Sequence, residues 1–228
     1  MPFNIVRSNS RGLFNEVLVN LNFIESLEPL GPQDETPINV KILRGLFYVH
    51  LYAALEKVVN ETVEQVILLI KSNAVKNKHF AMHLNVITLN SKMQSFKQCG
   101  YKDYFKKSHD IFSNIDSEES FDISNTVFSN NLQNVWFKTI EEVLDSFCSS
   151  KKNFHPRVKM TINEIVDKRN AVAHGRESPA VVGERYRCST LRTKAQELQL
   201  FSEEFITIFE EYIAEKKYLK PDCVELYP

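Results

Sequence analysis

The chain has only six glycines and four cysteines in 228 residues, and no long hydrophobic run. Scarce glycine beside long apolar periodicities points away from a turn-rich β architecture and towards helices. Cys99, Cys148, Cys188 and Cys223 form no C-x-x-C pair and keep no regular spacing, which argues against a disulfide scaffold or a zinc ribbon. The longest strongly apolar run, residues 66–70, is far too short to span a bilayer. Arg7 and Arg11 are followed by no apolar stretch of signal-peptide length before Glu16. The expectation is a soluble chain in a reducing cytoplasm, with no membrane association. Nucleotide chemistry has no support, because neither a G-x-x-x-x-G-K-[ST] loop nor a G-x-G-x-x-G turn occurs, and a G-x-S-x-G elbow is also missing. His79 and His83 have the i, i+4 spacing of a metal pair. Phe80 stands where H-E-x-x-H needs its glutamate and no third ligand is apparent, so no metal and no cofactor is expected.

What is there reads as one all-α domain over residues 1–220, with a loose tail at 221–228. Leu13, Val17, Leu21 and Ile24 mark a first helix over residues 12–28, closed by Pro29, Gly31, Pro32 and Pro37. A long helix over 38–71 follows, with Leu43, Phe47, Leu51, Leu55, Val59, Val63 and Val66 at helical steps. Gly45 inside it costs about 1 kcal/mol relative to alanine, which close packing of a neighbour would explain. Helices are predicted over 79–97 and 102–112, and residues 114–130 form an irregular, polar insert. Further helices are predicted over 131–147, from Val158 to His174 and over 190–217, and the 38–71 and 158–174 helices should pack on each other.

Net charge is −1, yet residues 157–194 carry nine Lys or Arg against four acids. This basic segment favours a polyanion, or is merely a solvated loop. Within it lies Asp167-Lys168-Arg169-Asn170-Ala171-Val172-Ala173-His174-Gly175, at the end of the helix marked by Val158, Ile162, Ile165 and Val166. Gly175 supplies a left-handed stop. Five residues turn about 140° and rise about 7.5 Å along a helix, so Arg169 and His174 flank a groove rather than stack. Asn170 and His174 share a face. A permanent cation and a group that titrates near neutrality suit binding a phosphate and moving a proton. Spacing alone favours another arrangement, in which Arg169 pairs with an acid such as Asp167 or Glu164 and His174 caps the helix C-terminus.

Arg169, the polar Asn170, His174 and Gly175 resemble the R-x4-6-H motif of the HEPN superfamily. Residues 44–56, from Arg44 to Glu56, are similar to the long early helix of RiboL-PSP-type HEPN proteins, and Asn131-Leu132-Gln133-Asn134-Val135 resembles the opening of a helix before the motif. Together the similarities span most of residues 11–217. The resemblance implies an all-α HEPN-like bundle with extra helices and an insert, a homodimer whose motifs face each other, and metal-independent RNA cleavage by toxins and defence effectors. In such a reaction the substrate's own 2′-hydroxyl attacks. His174 would move the proton, Arg169 would stabilise phosphate charge and Asn170 would orient the histidine or hold the phosphate. Lys168, Arg176 and Arg44 are weaker RNA-binding candidates, and Glu56 is a possible supporting acid that could pair with Arg169. RNA, a second copy and an antitoxin or other regulatory protein are the partners expected. The alternative is a non-catalytic HEPN-like module that binds RNA, a nucleotide or a partner protein.

Overall fold

A computed structural model describes the chain except residues 1, 30, 32–33, 121–122, 125–126, 129–130, 148–153 and 228. Parts of the 114–130 insert, Cys148 and most of the linker before the motif helix lie outside the described residues. The described residues are 76% helical, with no strand among them. Its helices are α1 (Asn4–Ser26), α2 (Ile38–Ser72), α3 (Asn85–Thr88), α4 (Asn90–Lys97), α5 (Tyr104–Ile115), α6 (Phe137–Ser146), α7 (Pro156–Ala173), α8 (Pro179–Glu184) and α9 (Cys188–Ala214). None of the described helices is long and apolar enough to cross a membrane. The chain divides into two compact units, one of residues 1–62, 131–140 and 153–207, the other of 63–130, 141–152 and 208–228.

In the first unit, α1 starts at Asn4, earlier than the polar residues before Leu13 suggest, because Phe3 and Val6 extend its buried face. That face continues through Ser10, Phe14, Val17, Leu21 and Ile24, one residue per turn. Helix α1 runs antiparallel to α2 and to α9. Asn9 meets Glu61 and Asn20 meets His50, each at 3.2 Å. On the other side Arg7 meets Glu203 and Arg192 meets Asn22, each at 2.7 Å. The buried surface of α2 is broader than one stripe, adding Val40, Tyr48, Tyr52, Ala54 and Val58 to the residues expected. Helices α2 and α7 meet through side chains, the Tyr48 hydroxyl donating to Glu164 Oε1 at 3.4 Å and the Arg169 guanidinium lying over the Tyr52 ring.

Sequence periodicity marks nothing between Gly175 and residue 190, but α8 lies there. Ser178 caps it, accepting from the Val181 N–H, and Pro179 takes its first turn. Two glycines let α8 meet α2 backbone to backbone. A Cβ on Gly45 would sit 2.0 Å from the Pro179 carbonyl oxygen, and one on Gly183 would sit 1.9 Å from that of Lys41.

In the second unit, the helix expected over 79–97 is broken. Residues 77–79 and 82–84 form separate 3-10 turns, and Phe80 and Ala81 between them are extended. Their backbone pairs with residues 218–220: Ala81 N–H donates to Tyr218 O and Lys220 N–H to His79 O, each at 2.9 Å. These bonds replace the helical ladder there. His79 and His83 therefore share no helix face; the His79 ring meets the Tyr227 hydroxyl at 2.8 Å and that of His83 the Tyr212 hydroxyl at 3.5 Å. The expected loose tail is tied down. Residues 221–226 form a 3-10 turn with Cys223 buried, and the Tyr227 hydroxyl also accepts the Lys76 N–H at 3.0 Å. The insert docks in part, Asn77 N–H donating to Glu119 O and Lys78 N–H to Ser117 O.

Candidate active site

Helix α7 begins with Pro156 in its first turn, capped by the His155 ring, which accepts the Arg157 N–H. It buries Thr161, Ile162, Ile165, Val166 and Ala171, which aims the intervening Arg169 and Asn170 off the core. It stops at His174, whose N–H still donates to Asn170 O at 3.0 Å. Gly175 follows at φ +68°, the left-handed position expected of it.

Arg169 is held by neutral groups. Its Nη1 donates to Asn170 Oδ1 at 2.7 Å and to Asn134 Oδ1 at 3.2 Å. Its guanidinium carbon lies over the Tyr52 ring, 4.2 Å from the centroid, a cation–π contact. No carboxylate among the described residues pairs with it, and Nη2 and Nε keep their donors free.

The carboxylates that could have neutralised Arg169 are occupied elsewhere. Glu164 accepts from Lys194 at 2.6 Å and from the Tyr48 hydroxyl at 3.4 Å. Asp167 lies 3.4 Å from Lys168 and 3.3 Å from Arg176. The arrangement in which Arg169 is a structural ion-pair partner is therefore not the one adopted. Much of the basic stretch is likewise paired, Arg157 with Glu197, Arg185 with Glu177 and Arg192 with Glu25. Arg169 and Arg187 meet no carboxylate among the described residues.

Tyr52 is positioned by the chain around Asn134. The helix expected over 131–147 is interrupted: residues 131–133 form a 3-10 turn and α6 starts only at Phe137. In the gap, the Tyr52 hydroxyl accepts the Val135 N–H at 3.1 Å, and Glu56 Oε1 and Gln133 O compete for its proton at 3.2 and 3.3 Å. The hydroxyl satisfies backbone groups that a continuous helix would have used itself, and Asn163 Oδ1 caps α6 by accepting the Phe137 N–H. Burial pushes the Tyr52 phenol up, against the Val135 hydrogen bond, so it stays neutral. Asn134 and Tyr52 lie in the two segments singled out beside the motif, but no pattern there marks either as a contact of Arg169.

The remaining candidates separate. The imidazole of His174 is exposed at the helix end and hydrogen-bonds to no described residue. Lys168 and Arg176 flank Asp167 beside the motif. Glu56 forms no ion pair with Arg169; it accepts the Tyr52 hydroxyl instead. Arg44 is withdrawn from any RNA contact, because its side chain is 5% exposed and its Nη2 donates to Glu28 Oε1 at 2.5 Å. Burial would raise the Glu28 carboxyl, but hydrogen bonds from Cys188 and the Arg44 guanidinium hold it below its usual range. Burial, with Glu28 beside it, pushes the Cys188 thiol up to about 12, which leaves it unreactive. No group of three or more His, Cys, Asp or Glu side chains placed to hold a metal occurs among the described residues.

No curated protein and no solved structure matches the chain significantly. A family model described as RiboL-PSP-HEPN does match, over residues 13–215, which takes in Tyr52, Asn134, Arg169 and His174. With that match over most of its length and an all-α fold, the chain belongs to the RiboL-PSP-HEPN family.

Proposed function

We propose that this HEPN domain is a metal-independent endoribonuclease, a toxin or defence effector whose site is completed in a homodimer. The observation that carries the reading is the uncompensated Arg169 charge, held by two amide oxygens and an aromatic face with two of its nitrogens free. A cation kept without a carboxylate is suited to a phosphate, which its fork of donors can engage. His174, five residues further on and bonded to no described residue, offers an imidazole that can accept or donate a proton.

In the reaction the RNA 2′-oxygen attacks the adjacent phosphorus while its proton passes to a neutral imidazole. The new O–P bond forms as the bond from phosphorus to the 5′-oxygen breaks, and an imidazolium protonates the leaving oxygen. Arg169 donates to the non-bridging oxygens as their charge develops. Asn170 and Asn134 keep the guanidinium oriented. One histidine per chain supplies both roles if His174 and His174 of the partner subunit meet at a two-fold axis. Lys168 and Arg176 add positive charge along the approaching backbone.

The test is purified protein on a mixed RNA, with and without EDTA, beside His174→Ala and Arg169→Ala. Expected are cleavage in EDTA with 2′,3′-cyclic phosphate ends, and losses of about a hundredfold or more in each variant. Metal-dependent cleavage, or full activity in His174→Ala, overturns the mechanism. A wild type that binds RNA without cutting any tested leaves the non-catalytic module.

A further inference from the structure

Helices α4 and α5 bury none of their residues, although they carry Met93, Phe96, Tyr104, Phe105, Ile111 and Phe112. Polar contacts clasp the two helices: Lys92 Nζ meets Asp110 Oδ2 at 2.8 Å, and Lys107 Nζ donates to Ser95 Oγ at 2.6 Å. Phe96 and Tyr104 pack with ring centroids 5.1 Å apart. Beside these contacts lies a groove of about 500 Å³, lined mainly by Val86, Met93, Phe96, Tyr104, Ile111 and Phe112. Phe112 is 70% exposed and Phe105, next to Tyr104, is 78% exposed. A contiguous apolar surface of this kind marks a contact site.

Its charge is one-sided. Residues 90–115 hold five lysines against two aspartates. Asp110 is taken by Lys92, whereas Lys97, Lys102 and Lys106 are exposed and meet no carboxylate among the described residues. Lys97 also lines the groove.

We propose that this groove docks an acidic amphipathic helix of a partner protein. The apolar side chains of that helix enter between α4 and α5 while a carboxylate on its flank meets Lys97. A groove of this volume accepts a few side chains from one helix face, and Lys97, the one charged residue in its described lining, selects an acidic flank. A lipid surface fits less well, since it needs apolar groups presented on one plane rather than lining a concavity. Single-stranded RNA fits less well too, because its backbone needs a track of cations and Lys97 is the one charged residue in the described lining.

The test titrates the full chain into a fluorescein-labelled synthetic helix of about 18 residues. The peptide carries Leu along one face and Glu on its flanks; a second has every Glu replaced by Lys. Fluorescence anisotropy should show saturable binding of the acidic peptide, and binding about tenfold or more weaker for the lysine peptide. Phe112→Asp and Lys97→Glu should each weaken the acidic peptide by about tenfold or more with the circular dichroism unchanged. Because Phe112 is exposed, the first substitution should leave the fold intact. No saturable binding, equal binding of both peptides, or wild-type affinity in Phe112→Asp overturns the proposal. So does loss, in the same variants, of binding to phosphatidylserine vesicles or poly(U) by a chain that ignores the acidic peptide.

Discussion

At position 52 one hydroxyl group serves the Val135 N–H as acceptor and Glu56 or Gln133 as donor, while the ring beneath it supports Arg169. The two jobs can be separated. Tyr52→Phe leaves a backbone N–H buried without a partner and should cost about 1–3 kcal/mol in urea unfolding. It keeps the aromatic face, so RNA cleavage by the folded fraction should fall only a few-fold. Tyr52→Leu removes both and should lose activity beyond what its stability predicts. Equal activities in the two variants would show that the ring does not place Arg169. Residue chemistry was readable in the motif itself, because Arg169, Asn170, His174 and Gly175 are local and the glycine's left-handed turn follows from its type. The support from Asn134 and Tyr52 was not, since it depends on side chains far apart in sequence meeting where a helix breaks.

Among the elements, periodicity located α2 almost residue for residue and α7 to within two, since each buries apolar residues over several turns. It failed where backbone groups find partners outside their own helix: at residues 79–81, bonded to 218–220, and at 133–135, bonded to Tyr52. The apolar spacing continues across both breaks, so pattern alone joins what hydrogen bonding separates. Helix α8 is too short to show a period, and its signals are a Ser178-Pro179 start and the two glycines of its contact with α2. Gly45 sets two effects against each other. Alanine would favour the helix by about 1 kcal/mol, but its Cβ would sit 2.0 Å from a backbone carbonyl that moves only if α8 moves. The clash wins, and Gly45→Ala should lower stability by about 1–3 kcal/mol in chemical denaturation. A stabilised variant would show that α8 is not seated there.

For the molecule as a whole, the balance of charge misleads. A net charge of −1 offers RNA no general attraction, and many cations of the basic stretch are spent on ion pairs that, being exposed, stabilise the fold little. Arg169 of the motif is among those that meet no carboxylate in the described residues, and one motif holds one proton-transfer group. This argues for two copies of the chain at each cleavage site, and the idea can be tested without locating the interface. Arg169→Ala and His174→Ala chains, co-expressed with different tags and purified through both, give dimers with one Arg169 and one His174. If each subunit cleaves with its own pair, such a dimer has no complete site and is as inactive as its parents. If the subunits share a cleft, one charge stabiliser and one proton-transfer group remain together, and solvent stands in for the second histidine. Cleavage should then exceed that of either parent by about tenfold or more while staying below wild type. A doubly tagged species no more active than its parents, or a wild type that sediments as a monomer at micromolar concentration, would remove the shared site and leave His174 to act alone.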